Sequence, residues 1–250
     1  MAIQHKSYKF RIYPTKQQEQ FLAQQFGMVR FVYNWLLANR KKQFEETGKG
    51  STYFKDCKLI TKLRNSDEYP WLREGSAQMA QGPAKHLAIA YENFYKHGKG
   101  FPKFKKKSNR QSVRFCQYYR LIKNRLHIPK LKQAIKVVVD RPVEGRIVSC
   151  TISKCQSGKY HVVFLCIVDI DPKPELDTVI GLDLGLKTMV VTSDDQKITN
   201  PQYYQNNEKK LKYLNRQLSK KEKGSNNRNK ARLRLAKSYE HVTNKRIHNL

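Results

Sequence analysis

Cations and aromatic rings alternate between Phe101 and Phe115, in the sequence FPKFKKKSNRQSVRF. Phosphate groups bind to cations and unpaired bases stack on exposed rings, so this segment has the chemistry of a nucleic-acid contact. Residues 93–139 contain fourteen Lys or Arg and no Asp or Glu. The alternative is a solvated basic loop, and for each ring, Phe104 included, packing in the core is the favoured interpretation. The cations predicted to contact nucleic acid are Lys103, Lys105, Lys106, Lys107, Arg110 and Arg114.

A polar row on a predicted helix provides a second candidate contact. Gln78, Gln81 and Lys85 are three and four residues apart, so they share one face of a helix. Gln side chains read adenine in the major groove of DNA. Helix surfaces also commonly carry Gln that contacts nothing, so the row is a hypothesis for DNA contact.

The carboxylate with the most suggestive surroundings is Asp183, within the apolar sequence IGLDLG at residues 180–185. A carboxylate inside a buried strand costs free energy unless it is paired or binds a metal ion. A D-x-G segment on a first strand binds Mg²⁺ in RNase H-like nucleases, and a similar segment approaches phosphate in actin-like ATPases. The structural alternative is an Asp that caps a turn at the end of a strand. The short motif leaves these three interpretations open.

The C-terminal region is strongly basic. From Tyr203 to the end, fourteen Lys or Arg accompany three Glu, and the sequence GSNNRNK at 224–230 divides the region into two predicted helices. The candidate nucleic-acid contacts in these helices are Lys209, Lys210, Arg216 and Arg232.

The elements that position these residues follow from periodicity. Alternation at 5–13 predicts a first strand. Thr15 and Gln18 form a capping box that starts a helix, and Gly82-Pro83 should kink a later one. The helices are predicted at 15–46, 53–64 and 76–96.

Short β-rich runs follow the helices, and together with the first strand they predict a small antiparallel barrel. Pro172 and Pro174 read as a linker, after which residues 179–192 predict two strands joined by a turn. The β-rich runs lie at 112–115, 126–128, 135–139, 146–154 and 160–170.

Composition narrows the class of partner. Fifty Lys or Arg against twenty Asp or Glu give a formal net charge of +30, so the expected partner is a polyanion.

No segment of the sequence is expected to enter a membrane. The longest apolar run, 162–168, is too short to cross one, and the N-terminus has no apolar signal core. These features predict a cytoplasmic, nucleoid-associated protein without a membrane partner. The five cysteines are scattered and form no C-x-x-C pair, so a zinc site is not expected.

With these motifs assembled, the chain resembles the TnpB (OrfB) family of transposon-encoded, RNA-guided nucleases over essentially its whole length. The segment YKFRIYPTKQQEQFLAQQFGMVRFVYNWLLANR is similar to the family's N-terminal helix-turn-helix segment, and GKGFPKFKKKSNRQSVRF is similar to its most specific signature. The segment IGLDLGLKTMVVTSD resembles the first RuvC motif, whose Asp is then Asp183. The implied partners are DNA and a guide RNA from the transposon end, and the oligomeric state is left open.

The resemblance implies a multi-domain α+β fold: a helical recognition module inserted in a small antiparallel β-barrel, then the start of an RNase H-like (RuvC) domain with two basic helices. A wedge-like barrel is expected at 1–14 and 97–172, the helical module at 15–96, and the incomplete RuvC domain at 173–250. We expect 1–172 to fold independently, whereas the apolar strands at 179–192 lack covering partners.

The departures from the family concern catalysis. The resemblance implies Mg²⁺ in the intact family, held by several carboxylates. After Asp183 the sequence offers only acids outside a matching strand context, and no cysteine follows Cys166. We therefore expect a chain cut short before its active site is complete, in which Asp183 is a remnant that binds Mg²⁺ weakly. The later acids are Asp194, Asp195, Glu208, Glu222 and Glu240.

Three functions are weighed on this basis. The first is an RNA-guided DNA endonuclease by ancestry, inactive in cleavage as this chain. The second is a nuclease-dead, RNA-guided DNA-binding repressor or remnant. The third, an actin-like ATPase, is opposed by the +30 charge and the lack of a second phosphate loop.

Overall fold

The computed structural model describes residues 2–108, 110–171, 174 and 177–248. Its described residues divide into two compact units, 1–170 and 171–250. The predicted linker residue Pro172 lies outside the described residues. None of the described helices is both long and apolar enough to span a membrane.

Three α-helices and a long strand open the first unit. Strand β1 is Ala2–Tyr13, helix α1 is Lys16–Thr47, helix α2 is Tyr53–Asn65 and helix α3 is Ala77–His97. The sequence predicted all four to within a few residues, but it missed a 3₁₀ helix at Pro70–Glu74. Helix α3 continues through Pro83 as one element.

The start of α1 confirms the predicted capping box. The Thr15 hydroxyl accepts a hydrogen bond from the backbone N–H of Gln18, and Gln18 Oε1 accepts one from the N–H of Thr15 at 3.0 Å. Gln18 Nε2 also donates to the carbonyls of Gln133 and Ala134, which ties α1 to the sheet. This local motif therefore sets both the first residue and the position of α1.

Apolar packing and one buried ion pair hold the helices together. Leu36 and Leu37 of α1 and Leu87 of α3 are fully buried in the same core. Arg40 of α1 donates from Nε and Nη2 to one oxygen of Asp56 on α2, at 2.9 and 2.6 Å. Because Asp56 is completely buried, this pair fixes the two helices against each other.

Six strands join β1 in the sheet of the first unit: β2 Gln111–Phe115, β3 Arg120–Ile122, β4 Arg125–His127, β5 Ile135–Val138, β6 Arg146–Lys154 and β7 Tyr160–Ile170. The seven strands are antiparallel and lie in the order β2-β6-β7-β1-β5-β4-β3. The small antiparallel barrel expected from the sequence is a curled half-barrel, in which β2 and β3 are the two edge strands. All five predicted later runs match a strand to within a residue, and β3 was missed.

The longest pairing in the sheet joins β1 to β7, from Ala2 opposite Ile170 to Ile12 opposite Tyr160. Along β7 buried and half-buried positions alternate, as expected for a strand with one face in the core. Phe10 of β1 and Phe164 of β7 pack with ring centroids 6.1 Å apart. The three helices lie between β1 and β2 in the chain, while β1 is at the centre of the sheet.

The second unit contains a small sheet and a helical hairpin. Strands β8 Leu182–Leu184, β9 Thr188–Thr192 and β10 Lys197–Thr199 pair antiparallel, and β10 was not predicted. Helices α4 Tyr203–Ser219 and α5 Asn226–His248 follow. Although both helices are strongly basic, Leu211, Leu235 and Val242 form a buried cluster between them.

Candidate nucleic-acid interface

The basic segment at 101–115 is fixed to α1 by a side chain that bonds to its backbone. Asn34 Oδ1 accepts from the N–H of Lys105 at 2.7 Å, and Asn34 Nδ2 donates to the carbonyl of Lys105 at 3.0 Å. This two-way bond replaces the backbone partners that a loop otherwise lacks. The segment is therefore held in one place rather than left as a free loop.

Lys105 differs from the other cations of this segment. Its Nζ lies 4.0 Å from the centroid of the Tyr33 ring, and burial lowers the pKa of its ammonium group. A half-buried ammonium over an aromatic face stabilises the local packing. The structure thus gives Lys105 a packing role, and its predicted contact with phosphate stays a prediction.

Four of the predicted cations are exposed: Lys103, Lys106, Lys107 and Arg110. None of them has an ion-pair partner within the part of the chain that the structure describes. Arg114, on β2, is half-buried, and its Nε has no hydrogen-bond partner among the described residues. The exposed four are free to bind an anion.

The aromatic rings of the segment have different surroundings. Phe115 is buried at 2% exposure, as the core interpretation predicted, whereas Phe101 and Phe104 are 40% and 47% exposed. The ammonium group of Lys41 lies 5.2 and 5.3 Å from these two ring centroids. Phe101 also packs edge-on against Phe94 of α3 at 5.3 Å. The rings of Phe101 and Phe104 and the ammonium group of Lys41 thus lie together at the surface.

A cavity of about 230 Å³ lies between α1 and the basic segment. Arg30 of α1, together with Lys106 and Arg110, lines it above an apolar floor. Arg30 Nη1 donates to Gln111 Oε1 at 2.7 Å, which orients the guanidinium. Sequence reasoning missed Arg30 and Lys41 because they lie 71 and 60 residues before Phe101 in the chain. Their positions on the polar side of α1 were the available signal.

One residue of the polar row on α3 already makes a side-chain hydrogen bond. Gln78 donates to the side chain of Gln117 in the loop after β2, whereas Gln81 and Lys85 are exposed. The neighbouring His86 has its pKa lowered by partial burial and by the charges of Lys105, Arg114 and Lys85. The structure therefore places Lys85 in a cluster of positive charge.

The predicted cations of the helical hairpin are all exposed. They lie on more than one face, since the adjacent residues Lys209 and Lys210 are about 100° apart around the axis of α4. Lys209, Lys210 and Arg216 lie on α4.

Asp183 lies at the centre of β8, opposite Val191 of β9. No buried strand surrounds Asp183: the described residues cover neither face of β8, and Leu182 and Leu184 are 61% and 77% exposed. The predicted exposure of this hairpin is confirmed at these positions, whereas Val191 is half-buried. Asp183 itself is exposed, so its surroundings alone do not require a partner.

Comparison with known proteins assigns the chain to a family. A family model described as "Helix-turn-helix domain" matches residues 1–49, and one described as "Probable transposase" matches residues 159–250. A candidate RNA-guided DNA endonuclease from Streptomyces pristinaespiralis is 30% identical over 245 residues, which cover 96% of this chain and 61% of the relative. The chain belongs to the TnpB (OrfB) family.

Two further similarities agree with the family. InsQ of Escherichia coli (strain K12), also named as a candidate RNA-guided DNA endonuclease, is 30% identical over 96% of this chain and 60% of its own length. The chain thus spans about 60% of the length of these curated relatives. A cryo-EM structure of a Cas12f1–sgRNA–target DNA complex matches 99% of this chain and 77% of that protein, with a TM-score of 0.57 and 11% identity, and shows a similar fold.

RuvC-type nucleases are generally metal-dependent. The residues around Asp183 should therefore include further metal ligands if this chain holds a complete metal site. Within the described residues, Asp183 belongs to no group of three His, Cys, Asp or Glu side chains close enough to hold one ion. A two-metal site needs several carboxylates around both ions. The described residues therefore do not fit a complete Mg²⁺ site.

Proposed function

We propose that this chain is the nucleic-acid-binding portion of an RNA-guided DNA endonuclease, with guide RNA and DNA as its partners. The names of its curated relatives support this class. A net charge of +30 favours a polyanionic partner. We accordingly expect the protein in the cytoplasm, at the nucleoid.

The observation that carries the proposal is the set of exposed, unpaired cations on the anchored basic segment. Lys103, Lys106, Lys107 and Arg110 have no acidic partner among the described residues, so binding phosphate breaks no existing ion pair. The cavity beside Arg30 supplies two of these cations and a fixed guanidinium, a combination that suits a phosphate group.

The test compares two triple charge reversals by filter binding across a range of salt concentrations. One variant carries Lys103→Glu, Lys106→Glu and Lys107→Glu; the matched control carries Lys55→Glu, Lys58→Glu and Lys62→Glu on α2. Each lost phosphate contact should reduce the slope of log K against log salt by about 0.7 on single strands and about 0.9 on duplexes. We expect the first variant to lose both affinity and slope, and the control to change far less. Equal losses in both would sink the assignment to this segment.

We further propose that the helices at 15–96 form a recognition module whose α3 row contacts DNA. Gln81 and Lys85 are exposed on one face, and their cationic surroundings favour an approaching phosphate backbone. Substituting Lys85 should weaken binding to all sequences alike, whereas Gln81→Ala should change sequence preference if Gln81 reads a base. Gln81→Ala with an unchanged preference would remove the base-reading role.

Binding without cleavage by the 250-residue chain is the second proposal, because the described surroundings of Asp183 provide no complete metal site. Incubation with Mg²⁺, RNA from the transposon end and a matching DNA target should leave the DNA intact. An Asp183→Ala variant is the control. Cleavage that disappears in that variant would contradict the proposal.

A further inference from the structure

A groove runs along one side of the α4–α5 hairpin, at the end where the two helices are joined. Its volume is about 340 Å³. Both helices and the turn contribute to its walls, so a ring, two amides and three cations border one space. The residues that provide these groups are Tyr213, Gln217, Lys221, Asn227, Lys230 and Arg234.

Hydrogen bonds at the turn fix the shape of the groove. Arg228 Nη1 donates to the carbonyls of Leu218 and Lys221, at 3.0 and 2.6 Å. The Ser225 hydroxyl accepts from the backbone N–H of Arg228 at 3.1 Å, as a cap at the start of α5. The walls are therefore positioned before any ligand arrives, which lowers the ordering cost of binding.

The residues that line the groove differ from other residues of the same type in the hairpin. The guanidinium of Arg228 is engaged at the turn, and the Tyr239 hydroxyl accepts a hydrogen bond from Asn215 at 3.2 Å. By contrast, no hydrogen bond, ion pair or ring contact joins the side chains of Tyr213, Lys230 or Arg234 to another described residue. The Tyr213 ring is 60% exposed. These side chains have no visible packing role, which leaves them available to a ligand.

We propose that this groove binds one nucleotide of a single-stranded nucleic acid, with its base stacked on Tyr213 and the neighbouring phosphates on Lys221, Lys230 and Arg234. Stacking on an exposed ring beside cations is how single strands are held without dependence on sequence. The amides of Gln217 and Asn227 offer both donors and acceptors to a base edge.

The charge around the groove favours this occupant over a protein or a small cation. Residues 209–238 contain twelve Lys or Arg and one Glu, Glu222. Such a surface attracts a polyanion, and an exposed ring adds affinity for an unpaired base that a duplex does not offer. The inference rests on the proposed nucleic-acid-binding function and adds a specific site to it. RNA and DNA single strands share this chemistry.

The experiment measures binding of fluorescein-labelled oligouridylate and oligothymidylate to the full 250-residue chain over a range of salt concentrations. Tyr213→Ala should weaken binding about 5-fold or more, with an unchanged slope of log K against log salt, whereas Tyr213→Phe should keep the wild-type affinity. Arg234→Ala should reduce the slope by about 0.7. Lys237→Ala is the charge-matched comparison, because Lys237 is exposed on the same helix and does not line the groove.

Cross-linking identifies the contact directly. Oligonucleotides that carry 5-iodouracil should form an ultraviolet-induced adduct on Tyr213, and the adduct should be absent in Tyr213→Ala. Tighter binding of one oligonucleotide would identify RNA or DNA as the source of the strand. If the wild type binds with a steep salt dependence but Tyr213→Ala binds equally well and no adduct maps to α4 or α5, the groove is not a site although the proposed function stands. If the wild type binds neither oligonucleotide, both proposals fail.

Discussion

The two units bury their apolar residues to very different extents. In residues 1–170, Phe10, Leu36 and Phe164 are at most 2% exposed, within one core that joins the helices to the sheet. Among the described residues of 171–250 the buried cluster has three members, while Leu184 and Leu186 are 77% and 91% exposed. Because burial is the main source of stability, the first unit has its own core and the second depends on a small one.

The two units also position their cations in different ways. In the first unit, side-chain bonds to a rigid helix fix an irregular segment, as between Asn34 and Lys105. In the second unit, the cations lie on two regular helices joined by one short turn. We therefore expect nucleic acid to change the dynamics of the second unit more than those of the first.

The largest expected loss of stability comes from breaking the buried ion pair of the first unit. Asp56→Ala leaves Arg40 buried without its partner and should lower the free energy of unfolding by about 3–5 kcal/mol. Asp67→Ala is the matched control, since its pair with Arg73 is exposed and should contribute at most about 1 kcal/mol. Urea unfolding followed by circular dichroism measures both. Equal effects would show that Asp56 does not hold α1 to α2.

A smaller effect is expected in the second unit. Leu211→Ala removes a side chain that is 2% exposed between α4 and α5, and should destabilise the hairpin by about 2–3 kcal/mol. Leu184→Ala, in the same unit, removes an exposed side chain and should change stability by less than about 0.5 kcal/mol. Amide exchange of α4 and α5 peptides reports the difference. A hairpin that exchanges equally fast in the wild type and in Leu211→Ala would show that the cluster is not stabilising.

The smallest effect concerns His86 and the sign of its pH dependence. Partial burial and nearby cations lower its pKa in the folded state. As the pH falls through 6.5, the unfolded chain therefore binds a proton more readily at this site, and stability decreases. Bound nucleic acid should offset the cationic surroundings and raise the pKa of His86. NMR titration with and without oligonucleotide would test both; a pKa above the ordinary histidine value in the free protein would contradict the assignment.

The features that the sequence predicted correctly depend on residues close together in the chain. The capping box of Thr15 and Gln18 and the turn between α4 and α5 are local, so periodicity and capping rules located them. The open half-barrel was not predictable, because closure depends on whether β2 and β3 meet, and short runs carry no such information.

The candidate sites divide in the same way. The cations at 103–110 were found because their type and density are visible in the sequence, but the burial of Lys105 depends on Tyr33, which lies far away in the chain. The groove beside Tyr213 was missed because it exists only where α4 and α5 pack together. The strand that carries Asp183 is exposed, as expected for apolar strands at 179–192 that lack covering partners, so the apolar neighbours of Asp183 do not by themselves ensure its burial.

Hydrogen–deuterium exchange of the full chain, with and without guide RNA, tests the central claim most directly. RNA should slow exchange at 101–115 and along α4 and α5, and should leave β8 and β9 as they are without RNA. The β1–β7 pairing should exchange slowly in both states. A uniform response to RNA, or protection confined to β8 and β9, would contradict the assignment of nucleic-acid binding to the anchored basic segment and the helical hairpin.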